Sequence, residues 1–468
     1  MGVQGTQPMS IPVLCLFADT GGGHRSAALA VTDALKAEYP GVFAPLLYDP
    51  LSAPRSPHLL RNVAGLYGPI VRLAPWSWGA VYHASDSQHA AALLRRTWLR
   101  LVDGPVAEVI ASLQPAVVLS FHPLTTAAAV RAVRRHTVGT PVVTVVTDLV
   151  TTHAAWHYGF VERIVVPSAA VRQRFETDGI APQRCHSFGL PVGSAFSAAP
   201  LTCRQQQELR LRLGVRPGRF LVVLAGGAEG SGPIARNADA VTRAFDDVEV
   251  VAICGRNRRL EARLRALCSP RLTVKGFVHN MADWYRTADV VVTKAGPQTI
   301  AEATCCGACL LITSHLPGQE RGNTELVVRA GAGAHTPKTA DVVDWIARLK
   351  DDPNVLQAMR HSALSLSKPQ AARQVASLVA SLVAADETRT QVGPHGTRCT
   401  PTQNEHRYHQ FDLYRLRGYK LGHGVAAQAP GAPSDRPLAE CIGCTWTIHD
   451  ARDQLPSPPS GVIWSGAD

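Results

Sequence analysis

Two stretches of this chain place a short apolar strand directly before a glycine-rich turn and a helix. That repeated unit narrows the fold more than any other feature. Ile11 to Ala18 runs into Asp19-Thr20-Gly21-Gly22-Gly23-His24. Ala27, Ala30, Val31, Ala34 and Leu35 then recur at helical spacing until Pro40-Gly41 stops them. Phe220 to Ala225 likewise runs into Gly226-Gly227-Ala228-Glu229-Gly230-Ser231-Gly232, with a helix expected from Pro233. Between and after these units the alternation continues. Ala116 to Ser120 precedes a helix over Thr125 to Arg135, and Val142 to Thr147 ends at Asp148. Val248 to Cys254, Leu272 to Val274, Val290 to Thr293 and Cys309 to Thr313 read as further strands. Strands alternating with helices imply parallel βαβ units, hence an α/β fold of two Rossmann-like halves with helices on both faces of each sheet. Such sheets bind ligands beyond the carboxyl ends of their strands, so two facing halves would share an interdomain cleft.

Composition excludes several classes. With 46% hydrophobic and 18% charged residues in 468, wholesale disorder is ruled out. No run of 18 uncharged apolar residues predicts a membrane span, and residues 1–10 lack the pattern of a signal peptide. The net charge of +11, carried by 40 Arg and seven Lys, favours anionic partners: membrane surfaces, phosphates or nucleic acid. No nucleic-acid recognition motif accompanies it. The 11 cysteines have no framework spacing, and Cys15 and Cys254 lie in apolar strands, which suits a reducing, cytoplasmic compartment. The expected domains are 1–195, 196–370 and a helix over 371–385. A low-order tail over 386–468, rich in Pro, Gly, His and Thr, follows. The Cys441/Cys444 pair in that tail is too small a ligand set to predict a zinc site.

Residues 51–100 break the pattern. Six arginines stand there against one acid, Asp86, interleaved with Tyr67, Trp76, Trp78, Tyr82 and Trp98. Aromatic and basic residues together suit the interface of an anionic membrane, and the alternative is ordinary core packing. Trp76 and Trp78 are the candidate membrane contacts.

The second glycine turn has the character of a phosphate site. Gly226, Gly227 and Gly230 allow a phosphate to approach the backbone N–H groups at a helix start. No Gly-Lys-Ser/Thr ends the turn, so it is not a P-loop. Lys294 to Glu302 follows the Val290 to Thr293 strand, and Glu302, expected in the first turn of a helix, can accept hydrogen bonds from a ribose. Its bland role is to stabilise the helix dipole. Pro317-Gly318-Gln319-Glu320 follows another strand and offers polar groups to sugar hydroxyls. Together these suggest a nucleotide-sugar site.

At this point the chain resembles a known family. GGGH (Gly21 to His24), SFHPL (Ser120 to Leu124), VVTDL (Val145 to Leu149) and GLPV (Gly189 to Val192) are similar to motifs of monogalactosyldiacylglycerol synthases and the related processive diacylglycerol glucosyltransferases. So are GGAEGSGP (Gly226 to Pro233), ICGRN (Ile253 to Asn257), KGFV (Lys275 to Val278), TKAGPQTIAEA (Thr293 to Ala303) and PGQERGN (Pro317 to Asn323). The resemblance covers about residues 11–385 in order. It implies a GT-B fold and inverting transfer of galactose or glucose from a UDP-sugar to the hydroxyl of diacylglycerol. It places Glu302 at the uridine ribose, the Val278 backbone near uracil, the turn around Gly227 at the diphosphate, and Gln319 and Glu320 at the donor hexose. It also implies that the helix at Ala371 to Ala384, with Val375, Leu378, Val379 and Leu382 on one side, crosses back onto the first half. The chain departs from the family where Gly193 replaces a common basic residue and Ala228 a common glycine.

For one-step inversion a base must take the acceptor proton while charge develops on the departing UDP. His24 is the candidate base, kept neutral by a helix N-terminus, with a capping or core histidine as the alternative. Asp148 is the second candidate, as base or as orienter of His24. Gly22, Gly23 and His122 are candidates for the acceptor side, with a turn before Pro123 as the alternative role of His122. The turn and its helix would meet the leaving-group charge without a metal, so no cofactor is expected. The expected partners are a UDP-sugar, diacylglycerol and an anionic membrane surface, with the protein peripheral on its cytoplasmic side. Transfer to a polyprenyl-linked acceptor, a UDP-sugar epimerase and a non-catalytic UDP-sugar sensor are the alternatives on the same fold.

Overall fold

A computed structural model describes residues 10–53, 56 and 75–391. The cysteine pair and almost all of the expected tail lie outside the described residues, as does Tyr67. Beyond the backbone, nothing is described for Trp76, Trp78 and Trp98.

The first lobe is a six-stranded sheet of β1 (Ile11–Leu16), β2 (Phe43–Tyr48), β3 (Val117–Ser120), β4 (Val142–Val145), β5 (Arg163–Val166) and β6 (Cys185–Ser187). The second holds β7 (Phe220–Ala225), β8 (Val248–Ile253), β9 (Leu272–Lys275), β10 (Val290–Lys294), β11 (Cys309–Ser314) and β12 (Gly333–His335). Their orders are β2-β1-β3-β4-β5-β6 and β12-β11-β10-β7-β8-β9, and every pairing is parallel. Strands covered by helices on both faces must be apolar throughout, which is why Val117, Val118 and Leu119, or Val290 and Val291, are fully buried in succession. In each sheet the chain leaves the centre first to one side and then to the other. The resulting switch points lie between β1 and β3 and between β7 and β10. A crevice opens at such a point, beyond the strands' carboxyl ends.

The helix Ala371–Gln391 ends the described chain. Ala372, Val375, Ala376, Val379, Ala380 and Val383 recur on one face and join the core formed by β1, β3 and the helix Gly23–Glu38 of the first lobe. Arg373 pairs with Glu38 at the edge of this contact, at 2.7 Å. The chain thus passes from the second lobe back to the first. At the crossing, Gly189 (φ 99°) lies so close to the returning segment that a Cβ on it would strike the Lys368 side chain.

Residues 75–96 form two helices, Pro75–Ser85 and Gln88–Arg96, the second capped by Ser87 through Ala90 N–H at 3.1 Å. The first packs on the other lobe. A methyl group at Gly79 would lie 2.7 Å from Pro317 Cβ, and Tyr82 is buried against Gly318. Val81 and Leu93 are more than 60% exposed. Among the described residues no helix is long and apolar enough to cross a membrane.

The returning helix contributes to the first lobe's core, so Val379→Ala should lower its stability by about 2 kcal/mol through lost transfer energy and a residual cavity. Urea unfolding followed by tryptophan fluorescence checks this, with Leu378→Ala, at a partly buried position on the same helix, expected to cost less.

Candidate functional site

Both switch points open into one cleft, and the two glycine-rich turns meet there. Gly22 has φ 87°, and a Cβ on it would touch Ala228 Cβ at 3.0 Å. Gly23 faces Gln298, with the corresponding distance 3.6 Å. The N-terminus of the helix Gly23–Glu38 therefore points at the phosphate-type turn of the opposite lobe. Ala228, a departure from the family pattern, is the residue Gly22 packs against.

Four helices begin around this cleft without a side-chain cap. Gly22, Pro233, Gly296 and Glu320 precede the helices at Gly23–Glu38, Ile234–Ala244, Pro297–Cys305 and Arg321–Arg329. Ser168, Thr202, Asn257 and Asp352 cap other helices with side-chain oxygens. Uncapped first turns leave backbone donors and positive dipole ends for an anion. The glycines of the second turn divide by role. Gly226 would strike Ser231 backbone and Gly230 would strike Cys254 O, so the turn's own folding requires them; Gly227 has open space beside it. Only Gly227 answers the expectation of a bare backbone facing a ligand. Asn257 Nδ2 donates to Gly230 O at 3.2 Å and Arg256 N to Ala228 O at 2.8 Å, so the loop after β8 braces the turn.

Glu302 lies one helical turn after Gln298, whose amide donates to Glu302 Oε1 at 2.9 Å and to Pro191 O, across the cleft, at 3.3 Å. Burial pushes the Glu302 carboxyl up to about 7, against the hydrogen bond from Gln298. Val278 is partly buried against the second lobe's core. Gln319 Nε2 donates to Asp148 Oδ1 at 2.9 Å, a second bond between the lobes. Glu320 is buried, with Oε1 held by Lys294 and Oε2 accepting from Leu316 N at 2.9 Å. Both of its oxygens are thus engaged within its own lobe. Glu320 thereby anchors the loop that presents Gln319.

On the first lobe, His24 and His122 sit on either side of the switch point, their ring centroids 4.3 Å apart. His24 Nδ1 lies 2.8 Å from Phe121 O and 2.7 Å from Thr147 Oγ1. A carbonyl only accepts, so Nδ1 carries the proton and the neutral ring has its lone pair on Nε2. Burial lowers His24 to about 4, opposed by the Phe121 carbonyl and the charge of Asp19. His122 caps the helix Pro123–His136: its Nδ1 accepts from Leu124 N at 3.2 Å, and Nε2 meets Thr20 Oγ1 at 3.1 Å. The structure therefore gives His122 the turn role. Asp148 does not orient His24. Its oxygens accept from Gln319 and, at 2.8 Å, from buried Trp156 Nε1. Burial raises Asp148 to about 6 despite these donors.

Sequence reasoning missed Thr147, Gln298 and Arg256. Gln298 was signalled by its i, i+4 spacing to Glu302, and Thr147 by its place beside Asp148 at the end of a strand. Arg256 reaches toward Asp19 of the first lobe at 3.8 Å and Glu229 at 3.9 Å, a placement only the closed cleft reveals. Four buried polar atoms along this cleft have no hydrogen-bond partner: Asp19 Oδ1, Ser231 Oγ, Gln298 Oε1 and Gln319 Oε1. Buried polar atoms are normally satisfied, so these four retain capacity for further hydrogen bonds. A separate cavity of about 420 Å³ lies by Pro317 and Gly318, lined by His83, Thr151, His315, Arg321 and Glu325.

Two parallel-sheet lobes sharing a cleft at their switch points define a protein of GT-B architecture. Solved structures share the fold: a UDP-GlcNAc 2-epimerase from Neisseria meningitidis bound to UDP-GlcNAc (TM-score 0.51, 13% identity, 79% of this chain and 99% of that one) and MurG of Acinetobacter baumannii (TM-score 0.51, 15% identity, 79% and 99%). Residues 24–192 match the family described as monogalactosyldiacylglycerol (MGDG) synthase, and residues 221–375 match the glycosyltransferase family 28 C-terminal domain. Monogalactosyldiacylglycerol synthase 3, chloroplastic, of Arabidopsis thaliana is 33% identical over 377 residues, covering 77% of this chain and 78% of its own. The chain belongs to the monogalactosyldiacylglycerol synthase family of glycosyltransferases.

The contact between the glycine turns predicts a sharp contrast. Gly22→Ala, strained at positive φ and abutting Ala228, should cut turnover at least tenfold and lower the melting temperature. Gly23→Ala, with ordinary contact distance to Gln298, should keep turnover within about threefold. Glycosyltransfer assays and thermal melts of the two variants check this.

Proposed function

We propose that this protein transfers galactose, with inversion, from UDP-galactose to the free hydroxyl of diacylglycerol at a membrane surface. The carrying observation is the convergence of uncapped helix starts and unpartnered polar atoms on one cleft beside a neutral histidine. The name of the Arabidopsis relative supports galactose as the sugar and diacylglycerol as the acceptor.

In this reading Glu302 receives the ribose hydroxyls, the Val278 backbone lies near uracil, and Gln319 meets the hexose through its unpartnered Oε1. The diphosphate lies by Gly227, between the starts of the helices Gly23–Glu38 and Ile234–Ala244. Arg256, drawn toward Asp19 and Glu229 beside this turn, is a side-chain cation close to it. Backbone donors and dipoles stabilise the leaving UDP without a metal. His24 Nε2 removes the acceptor proton. A base with a low pKa is weak but remains unprotonated at neutral pH, and alignment supplies much of its advantage. Asp148, with both oxygens engaged, braces the cleft through Gln319. Gly22 and Gly23 border the acceptor's path. Trp76, Trp78 and the arginines around them carry the proposed attachment to anionic lipid. The epimerase reading is less favoured, because it leaves the Trp- and Arg-rich segment without a task.

Parallel assays with UDP-galactose and UDP-glucose on diacylglycerol liposomes test this reading. Galactolipid should be the main product, and EDTA should leave the rate unchanged. Glucolipid as the main product, or no lipid product, would overturn it. His24→Ala should lose at least a hundredfold in turnover.

A pH dependence follows from Glu302. Ribose hydroxyls favour the ionised carboxylate, so donor binding releases a proton from a group titrating near 7. UDP-galactose affinity, measured by calorimetry, should therefore rise from pH 6 to pH 8. Glu302→Gln should bind about 10- to 100-fold more weakly, without that rise.

A further inference from the structure

The two hydrogen bonds of the His24 imidazole both use Nδ1, and one of them ends on a side chain that no motif reading singled out. Thr147 is 4% exposed and lies just past the carboxyl end of β4. Phe121 O fixes the proton on Nδ1, so Thr147 Oγ1 at 2.7 Å is a second acceptor of the same N–H. The neighbouring residue, Asp148, turns the other way, to Trp156 and Gln319. The position behind the imidazole, often filled by a carboxylate in base–orienter pairs, is thus filled by a neutral hydroxyl.

We propose that Thr147 is a positioning residue for the transfer reaction, holding His24 with Nε2 toward the acceptor hydroxyl. This rests on the reading of His24 as the base. In the step, the acceptor O–H proton moves to Nε2 while the acceptor oxygen bonds to the hexose anomeric carbon. The bond from that carbon to the diphosphate breaks, and UDP leaves with the electron pair. The ring becomes an imidazolium, its Nδ1–H turns more acidic, and its bonds to Phe121 O and Thr147 Oγ1 strengthen. Thr147 therefore interacts more strongly after proton transfer than before, as transition-state stabilisation requires. The other groups around the imidazole are the neutral His122, the Trp156 ring at 6.2 Å between centroids, and Asp19, whose carboxylate is drawn toward Arg25 and Arg256.

The test uses Thr147→Val, which keeps the shape and loses the oxygen, Thr147→Ser, which keeps the oxygen, and Thr147→Asp, which adds a charge. Thr147→Val should lower kcat about tenfold with KM for both substrates within about twofold, and Thr147→Ser should recover most of the loss. Thr147→Asp should move the acid limb of the kcat profile upward by about one pH unit or more, because a carboxylate stabilises the imidazolium. A purely structural role would not move that limb. Wild-type kcat in Thr147→Val, or an unmoved acid limb in Thr147→Asp, would overturn the proposal. If Thr147→Val fails to fold, the pH profile of Thr147→Asp decides alone; if that variant also fails, a Thr147→Ser kcat reduced as far as that of Thr147→Ala overturns it. His24→Ala settles the underlying reading separately. Near-wild-type turnover there removes the base assignment, whereas an inactive His24→Ala beside a normal Thr147→Val removes only the role of Thr147.

Discussion

The functional geometry depends on two glycine turns approaching within van der Waals contact across a cleft. Gly22 against Ala228 leaves no room for a side chain on the first-lobe turn. That contact aims the start of one lobe's first helix at the phosphate-type turn of the other. In the proposed reading the two turns together place backbone donors on two sides of the diphosphate. The loop after β8 makes the approach possible, since it packs on the back of the second turn and fixes its shape.

Around this contact the lobes are joined by a few polar links: Gln298 to Pro191 O, Gln319 to Asp148, and Arg256 toward Asp19. Each uses a group whose remaining hydrogen-bonding capacity faces the cleft. The links hold the lobes together while leaving Gln298 Oε1, Gln319 Oε1 and Asp19 Oδ1 unpartnered. Burial raises the carboxyls of Asp148 and Glu302 and lowers the imidazole of His24, all by disfavouring the charged form.

Much of this was legible in the sequence because it follows from local rules. Strand, glycine turn and helix succeed one another within some thirty residues, so the parallel sheets and their glycine turns could be read from spacing. His24 stands out for the same reason, as a polar residue at a helix start after an apolar strand; Glu302, expected in a first turn, lies in the second turn of Pro297–Cys305. What escaped depends on contacts between distant segments. Thr147 and Phe121 O meet His24 only because β3 and β4 lie on the far side of the switch point from β1. Asp148 is a second candidate base or an orienter of His24 by sequence, yet it bonds Trp156, only eight residues on but brought round by an intervening turn. The resemblance puts Glu320 at the donor hexose, and the polar loop agrees, but neither indicates its ion pair. Its pairing with Lys294 requires the neighbouring β10 and β11, an arrangement invisible to a local pattern.

The return of the final helix to the first lobe has a mechanical consequence. The second lobe is tied to the first by two chain segments, the outgoing stretch after Gly189 and the incoming one at Lys368, and these run against each other. Two tethers side by side behave as a door's edge: they permit swinging about the line through them and resist swivelling. Entry and exit of a bulky sugar donor would then proceed by a one-axis gape at the side opposite that edge.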